Sequence, residues 1–311
     1  MRVLVVGAGA LGGYFGGRLA AAGRDVTFLV RPRRAEALAG DGLVVESRFG
    51  NLHLEKPRIV LAEHLREPFE LVLLSCKAYD LASAMDSFAN GVGPHTAILP
   101  LLNGMAHLDA LEARFGADAV LGGVALIGAT LRGGTVVHLN DVHTIIFGDR
   151  PGGISERTQA IAALMSGAGF DTRASDAILV DMWEKWVFLG SLAAGTCLMR
   201  APVGAIVAAP GGRELMLGLV EEAIAIANAA GRAPRPPALE RTRATLTTPK
   251  SAFSASMLRD MEGGGRIESD HIVGDLVRRG DTAGVPCPLL RLAYTNLKAY
   301  EARRASEAAS A

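Results

Sequence analysis

Three glycines near the start of the chain have the spacing that dinucleotide binding requires. They follow a short apolar run, and residues 10–22 have the pattern of a helix. In such a turn the first glycine allows the sharp change of direction, the second lets the main chain approach a diphosphate, and the third lets helix pack on strand. The helix N-terminus supplies the positive end that holds the phosphates. A tight turn in another α/β fold is the alternative. The predicted cofactor-binding residues are Gly7, Gly9, Ala10, Leu11 and Gly12.

The end of the second predicted strand indicates which dinucleotide binds. An acidic residue normally stands there when the ribose hydroxyl of NAD is bound. This chain instead has Arg31 after the strand at 26–30, and Arg33 and Arg34 follow. A guanidinium matches a 2′-phosphate in bidentate geometry, so Arg31 favours NADP. The alternative is a solvated helix start, with Pro32 in its first turn.

The elements that must position these residues alternate between strand and helix in the first half of the chain. Strand–helix–strand connections predict a mostly parallel, doubly wound Rossmann sheet. After about residue 115, closely spaced strands suggest hairpins at 133–134 and 140–141, so the sheet is expected to become mixed. Apolar runs predict strands at 71–75, 96–101, 119–129, 134–139, 143–148 and 170–173, with a helix at 154–167.

From residue 175 onward the pattern predicts helices only. The fold class is therefore α/β, with an N-terminal Rossmann domain at 1–173 and an all-helical substrate domain at 174–311. The apolar surface of the helical domain favours a homodimer. The helices are expected at 175–199, 203–208, 211–230, 236–247, 251–261, 267–279 and 287–303.

Composition excludes several classes of protein. The chain has 311 residues, 50% hydrophobic and 21% charged, which is ordinary for a globular protein of two domains. Its 32 basic and 32 acidic residues cancel, and no basic block indicates a nucleic-acid partner. The most apolar run, 186–199, is too short to cross a bilayer, and the N-terminus lacks the plan of a signal peptide, so a cytoplasmic protein without membrane contact is expected. The three cysteines and seven histidines lack the spacing of metal ligands, so no metal site is expected.

Five further motifs occur in order along the chain. Together with the glycine turn they show a resemblance to the ketopantoate reductase family, also called 2-dehydropantoate 2-reductases, over nearly the whole length. The resemblance implies an NADP-dependent oxidoreductase that reduces a small-molecule 2-oxo acid, by default ketopantoate to pantoate for pantothenate biosynthesis. The motifs are LSCKA at 74–78, LLNGM at 101–105, MWEKW at 182–186, SMLRD at 256–260 and RIESD at 266–270.

The resemblance assigns roles to the matching residues. Lys185 would protonate the ketone oxygen while NADPH delivers hydride to the carbonyl carbon. Glu268 would hold the substrate hydroxyl or orient the lysine, and Ser256 would bind the substrate carboxylate. Asn103 would contact the nicotinamide end of the cofactor and help to place the substrate. Lys77 would lie at the cofactor and substrate edge of the site.

The residues themselves support these roles to different degrees. Lys185 opens a strongly apolar helix, where desolvation lowers the pKa of a lysine and makes it a useful proton donor near neutral pH. Alternatively it extends from the end of a buried helix and takes no part in chemistry. Glu268 at a helix start and Ser256 within a helix have ordinary structural explanations. Asn103 in a turn and Lys77 at the surface have them too.

Three positions depart from the family pattern. Pantoate-forming members carry asparagines four and eight residues after the lysine and three residues before the serine, where this chain has Leu189, Ala193 and Phe253. Leu189 and Ala193 share a helical face with Lys185, so the face expected to hydrogen-bond the substrate is largely apolar. Reduction of a different, more apolar 2-oxo acid is therefore an alternative, because an apolar pocket selects by size.

Two other functions stay as alternatives. A non-catalytic NADPH-binding sensor would keep the glycine turn and Arg31 but lose the chemistry, and the presence of both Lys185 and Glu268 argues against it. A β-hydroxyacid dehydrogenase shares the two-domain plan and a lysine on a central helix. Reduction of a 2-oxo acid, oxidation of a 3-hydroxy acid, or absence of turnover would distinguish the three.

Overall fold

The computed structural model describes residues 1–310; Ala311, the last residue of the predicted helical domain, lies outside them. The chain divides into two compact units. The first contains Met1–Leu102 and His107–Leu179, and the second contains Asn103–Ala106 and the chain from Val180 onward. A four-residue segment of the N-terminal half therefore belongs to the second unit.

A five-stranded parallel sheet forms the centre of the first unit. The strand order is β5-β2-β1-β6-β7, with every neighbouring pair parallel. The apolar side chains of β1 and β6 are buried, as a parallel sheet covered by helices requires. This sheet confirms the predicted Rossmann architecture. The strands are β1 (Arg2–Val6), β2 (Asp25–Leu29), β5 (Ile59–Val60), β6 (Leu71–Leu74) and β7 (Ala97–Pro100), and the helices that run between or after them are α1 (Ala10–Ala21), α2 (Pro32–Asp41), α3 (Leu81–Phe88) and α4 (Ala106–Phe115).

A second sheet in the same unit is built from segments that are distant in sequence. Its order is β10-β9-β3-β4, and β8 pairs with β9 in an antiparallel hairpin. The prediction of one sheet that becomes mixed is therefore wrong, because β9 pairs with β3 and β3 pairs with β4, and the sequence pattern did not indicate these two short strands. The strands are β3 (Leu43–Glu46), β4 (Leu52–Leu54), β8 (Gly122–Arg132), β9 (Thr135–Gly148) and β10 (Asp171–Ala174), with α5 (Glu156–Met165) before β10.

The β8–β9 hairpin turns at Gly133–Gly134, as predicted, but it does not turn again at 140–141. β9 runs through that point without a break. Asn140 accepts a hydrogen bond from the Gly128 amide at 2.8 Å through its side-chain oxygen, and this bond lies beside an irregularity in the ladder between Ile127 and Ala129. An Asn-Asp pair that suggests a turn is here part of a strand, since its side chain compensates for the irregular pairing.

The second unit is helical. Its central element is α6, in which Ser191 donates a hydrogen bond to the Leu219 carbonyl of α8 at 3.2 Å. Long stretches of both helices are buried, which explains the apolar run at 186–199. The helices are α6 (Ile178–Met199), α7 (Val203–Ala208), α8 (Gly212–Ala229), α9 (Pro236–Leu246), α10 (Ser256–Glu262), α11 (Asp275–Ala283) and α12 (Pro288–Ser310).

Four predicted helices differ from the observed ones. The helix predicted at 287–303 continues to Ser310. The helix predicted at 175–199 begins at Ile178, and the one predicted at 251–261 begins at Ser256. In place of a single helix at 267–279, a π-helical turn at Asp270–Gly274 leads into α11. Such turns are rare and occur often at functional sites.

Residues 1–310 contain neither a candidate membrane-spanning helix nor a candidate metal site. None of their helices is long and apolar enough to cross a membrane. No three histidine, cysteine, aspartate or glutamate side chains among them are grouped so as to hold a metal ion.

Candidate active site

The glycine turn connects β1 to α1 in the first unit. Gly7 has φ +91°, a conformation that L side chains rarely adopt, and its amide donates to the Leu29 carbonyl at 2.9 Å. A β-carbon at Gly12 would lie 2.0 Å from the Gly7 oxygen and 2.4 Å from Ser75 Oγ, so only glycine fits. A β-carbon at Gly9 would have no atom of the described residues within 4 Å. The turn is closed at Gly12 and open at Gly9, where a diphosphate would approach the main chain.

The first turn of α1 completes this site. Ala10 and Leu11 begin the helix and are half-buried. The amides of a first helical turn have no partner within the helix, so they are donors for an anion placed at the helix end. The residues present therefore fit the diphosphate of a dinucleotide.

Arg31 and Lys77 lie at the same edge of the parallel sheet as the glycine turn. Arg31 stands two residues beyond β2, and Lys77 stands three residues beyond β6. The carboxyl ends of parallel strands meet at one edge, where ligands bind in open α/β folds. The Arg31 side chain is 71% exposed, and its Nη2 lies 3.4 Å from Oδ2 of Asp80. The structure thus brings together the residues predicted to bind the cofactor in this unit.

Arg34 is a second arginine at the glycine turn. Its Nε donates to the Ala8 carbonyl at 3.0 Å, and its Nη1 donates to the Gly134 carbonyl at 3.2 Å. Its Nη2 is buried without a hydrogen-bond partner among the described residues, and burial lowers the pKa of the group. The sequence indicated only a positively charged region here. The spacing of three residues between Arg31 and Arg34 could have indicated that both arginines lie on one side of the helix start.

Lys185 is the central residue of the second unit's site. Its Nζ donates to Oδ1 of Asn103 at 2.9 Å. Burial lowers the pKa of Lys185 to about 8, and the nearby carboxylate of Glu268 opposes this shift. Three predicted site residues from distant parts of the sequence therefore lie together in one cluster: Lys185, Asn103 and Glu268.

Glu268 is buried, with 8% of its surface exposed. Its main-chain carbonyl accepts from the Ile272 amide at 3.0 Å, so it begins the turn that continues into the π-helical segment. Trp186, the residue after Lys185, donates from Nε1 to the Ile272 carbonyl at 2.9 Å. The π-helical turn is therefore hydrogen-bonded directly to the helix that carries the lysine.

His271 belongs to the same cluster and was not predicted. Its ring forms a hydrogen bond with the main chain of Asn103, and burial lowers its pKa while Glu268 and Asp275 oppose the shift. A β-carbon at Gly104 would lie 2.7 Å from the His271 carbonyl oxygen and 3.0 Å from its Cδ2. The sequence held a signal for it, since the helix predicted at 267–279 would place His271, three residues after Glu268, on the same face.

The residues predicted to bind the substrate differ in how far they are buried. Ser256 is half-buried at the start of α10, and Leu189 is half-buried on α6. Phe253 is 43% exposed and stacks on Phe188, with ring centroids 6.0 Å apart and planes 25° apart. Ala193 is fully buried, at 0% exposure, and its part in substrate binding stays a prediction. Phe188, three residues after Lys185, was not predicted.

Comparison with protein families gives matches along most of the chain. A family described as ketopantoate reductase PanE/ApbA matches residues 3–152, and the corresponding C-terminal family matches residues 177–301. The two matched segments cover both halves of the chain and contain every predicted site residue.

Individual relatives match over almost their full lengths. YkpB of Bacillus subtilis, an uncharacterized oxidoreductase, is 37% identical, with 98% of this chain and all of that protein covered. A 2-dehydropantoate 2-reductase of Halobacterium salinarum is 30% identical over 94% of this chain and 96% of its own. The crystal structure of 2-dehydropantoate 2-reductase from Geobacter metallireducens superposes with a TM-score of 0.87 at 33% identity, covering 96% of this chain and 99% of the other.

Proposed function

The chain belongs to the ketopantoate reductase family, and from that membership we propose that it reduces a 2-oxo acid to the 2-hydroxy acid with NADPH. It is an oxidoreductase of a nicotinamide-dependent family. The identity of the 2-oxo acid, the preference for NADPH and the role of the lysine are the proposed parts.

The observation that carries this proposal is the Lys185 cluster. A pKa of about 8 keeps Lys185 mostly protonated at neutral pH and still able to release its proton. Asn103 Oδ1 accepts one of the three ammonium hydrogens, which fixes the direction of Nζ and leaves others for a ligand. A bound nicotinamide would supply hydride to the carbonyl carbon. Lys185 would give its proton to the carbonyl oxygen as negative charge develops there.

Glu268 complements the lysine in this scheme. Its buried carboxylate raises the pKa of Lys185 against the effect of burial, which keeps the proton available. A carboxylate can also accept a hydrogen bond from the hydroxyl of the product. Glu268 would therefore both tune the acid and hold the 2-hydroxy group.

Arginines at the first unit's site support NADPH as the cofactor. Arg31 stands at the end of β2, where a 2′-phosphate would require a cation, and Arg34 is anchored on the Ala8 carbonyl next to the glycine turn. Gly9 and the first amides of α1 would hold the diphosphate. Asp80 partly neutralises Arg31, so the preference for NADPH over NADH is expected to be moderate.

The residues near Lys185 also bear on the substrate. Ketopantoate is the substrate suggested by the family, and its reduction would belong to pantothenate biosynthesis in the cytoplasm. The alternative substrate is a more apolar 2-oxo acid, which the stacked rings of Phe188 and Phe253 and the half-buried Leu189 favour. Apolar walls discriminate by size at about 1 to 3 kcal/mol per methylene rather than by hydrogen bonding.

The test is NADPH oxidation at steady state by the purified protein, with ketopantoate, pyruvate, 4-methyl-2-oxopentanoate and phenylglyoxylate as substrates. Efficient turnover of ketopantoate would support the family substrate. Preference for the branched or aromatic acids, lost in Phe188→Ala and Phe253→Ala but retained in Phe49→Ala, would support the apolar alternative. Phe49 is a suitable control because it is a 42% exposed phenylalanine of the first unit. Tight NADPH binding without any turnover would overturn the proposal and support a sensor.

A further inference from the structure

We propose that His271 is a positioning residue: through the main chain of Asn103 it holds the side-chain amide that accepts the hydrogen bond of Lys185. This inference rests on the proposed function of Lys185 as the proton donor, but its structural core can be tested without turnover. It assigns a role to a half-buried histidine outside the predicted site.

Contacts between His271 and the Asn103–Gly104 turn are the first support. Gly104 has φ +77°, and the space that a side chain would need there is filled by the His271 carbonyl and ring. The ring hydrogen-bonds the Asn103 main chain. The turn therefore rests directly on His271, and rotation of the turn would move the Asn103 side chain away from Lys185.

Hydrogen bonds connect the two sides of the cluster in a closed path. Lys185 donates to Asn103, and the Asn103 main chain bonds His271. The next residue, Ile272, accepts from Trp186, which follows Lys185 in α6. A closed path fixes each member from two directions, so loss of one bond is expected to loosen the Lys185–Asn103 contact rather than the fold.

The groups that face His271 favour a neutral ring with one N–H donor at neutral pH. Burial lowers its pKa most strongly, Glu268, Asp275 and the Asn103 main chain raise it, and Arg278 lowers it. Asp275 is itself bound by Arg278 and Arg279. The ring is therefore suited to donate a hydrogen bond and not to carry charge beside the Lys185 ammonium.

The decisive variant is His271→Phe, which keeps a ring against Gly104 and removes the nitrogen atoms. The Asn103 side chain would then be more mobile, so the Lys185 ammonium would lose its hydrogen-bond acceptor part of the time. Because that hydrogen bond stabilises the charged form, the pKa of Lys185 would fall. One lost hydrogen bond corresponds to roughly half to one pH unit. The alkaline limb of the pH profile of kcat should move down by the same amount, which lowers kcat at pH 7 by up to about twofold and leaves the KM for NADPH unchanged.

Tyr294→Phe is the matched control. Tyr294 packs on Gly274 and donates to Asp270 at 2.6 Å, so this change removes a hydrogen bond from the same π-helical turn without touching Asn103. It should leave the pKa of Lys185 in place. His271→Gln, which retains an N–H donor, should restore part of the wild-type value and serves as the second variant if His271→Phe does not fold.

The pKa of Lys185 can be measured directly by NMR of the full-length protein labelled with ¹³C at lysine Cε. The chain has only five lysines, so the signals are few, and Lys185→Arg assigns the relevant one. The expected result is a lower midpoint in His271→Phe, a midpoint at least as low in Asn103→Ala, and in the double variant the midpoint of Asn103→Ala. An unchanged midpoint in His271→Phe, or an equal shift in Tyr294→Phe, would overturn the inference. Since the titration needs no substrate, it separates this failure from a failure of the proposed reaction.

Discussion

Lys185 shows how one side chain acquires a useful pKa from opposing influences. Burial disfavours its charged form, and the carboxylate of Glu268 favours it. The result, about 8, lies near the pH at which a donor is both protonated and able to release its proton. The hydrogen bond to Asn103 adds direction to this acidity.

Replacement of this lysine should abolish most of the activity without loss of cofactor binding. Lys185→Met should lower kcat by roughly 100-fold or more, because the developing alkoxide loses its proton donor. NADPH affinity, measured by calorimetry, should be retained, since the predicted cofactor residues of the first unit are untouched. Wild-type kcat should fall as pH rises through about 8, where Lys185 loses its proton. Full activity of Lys185→Met would contradict the mechanism.

The Arg31–Asp80 pair predicts how cofactor preference can be changed. Asp80→Asn removes a carboxylate 3.4 Å from the guanidinium, so NADPH should bind roughly two- to fivefold more tightly while NADH is unaffected. Arg31→Asp should weaken NADPH far more than NADH. Dissociation constants for both cofactors measured by calorimetry test this, and an unchanged ratio in both variants would refute the role of Arg31.

At the scale of elements, the glycine turn and the start of α1 differ from one glycine to the next in the space left for a side chain. Gly12 is in contact with the Gly7 carbonyl and the Ser75 side chain, whereas Gly9 faces open space. The two glycines therefore serve different purposes, packing in one case and ligand approach in the other.

Alanine at these two positions should separate folding from binding. Gly12→Ala should lower the free energy of unfolding by at least about 3 kcal/mol, because its β-carbon would overlap main-chain atoms. Gly9→Ala should change the free energy of unfolding by less than about 1 kcal/mol and weaken NADPH binding at least roughly tenfold, since the methyl group would occupy the path of the diphosphate. Urea denaturation and calorimetry of both variants provide the measurements. A Gly9→Ala protein that binds NADPH normally would disprove the assignment of the phosphate site.

Elements whose pattern is local could be predicted from the sequence, and those that depend on distant pairing could not. β1 and α1 are encoded by adjacent residues, and so is the apolar part of α6. The second sheet joins β3, β9 and β10, which lie about 90 and 35 residues apart along the chain, so no window of sequence contains its pairing. The π-helical turn is missed for a similar reason, because Trp186 stabilises it from another helix.

The site shows the same division. The resemblance to the family indicated Lys185, Asn103 and Glu268, which the structure gathers into one cluster. His271 and Arg34 contact the main chain of other segments, and the only signal for them in the sequence is their spacing of three residues from Glu268 and Arg31. Helical spacing placed Ala193 on the face of Lys185, but spacing gives no measure of burial, which is complete for Ala193 in the structure.

At the scale of the whole molecule, the distribution of thiols between surface and interior gives a simple test of the fold. Cys76 is half-buried, whereas Cys197 and Cys287 are buried. Burial raises the pKa of the Cys197 thiol to about 12 and also raises that of Cys287. Both are therefore expected to be unreactive near neutral pH.

Iodoacetamide at pH 7.5 should label one thiol in the native protein and all three in denaturant, as counted by mass spectrometry. Because Cys76 precedes Lys77 at the edge of the sheet where the cofactor is proposed to bind, saturating NADPH should slow its labelling. Rapid labelling of two or more thiols in the native state would contradict the packing described for α6 and the segment before α12.

The assignment of Asn103–Ala106 to the second unit has a consequence for recombination between relatives. A chimera with a single crossover near residue 179 would inherit the Asn103 turn from one parent and its supports, Lys185 and His271, from the other. In such hybrids Asn103 would come from one parent, and Lys185 and His271, which contact it, would come from the other. To keep these contacts within one parent, a chimera must take residues 103–106 from the same parent as the C-terminal half. Among hybrids with a single crossover, active ones should be most frequent when both parents have the same residues in and around this turn.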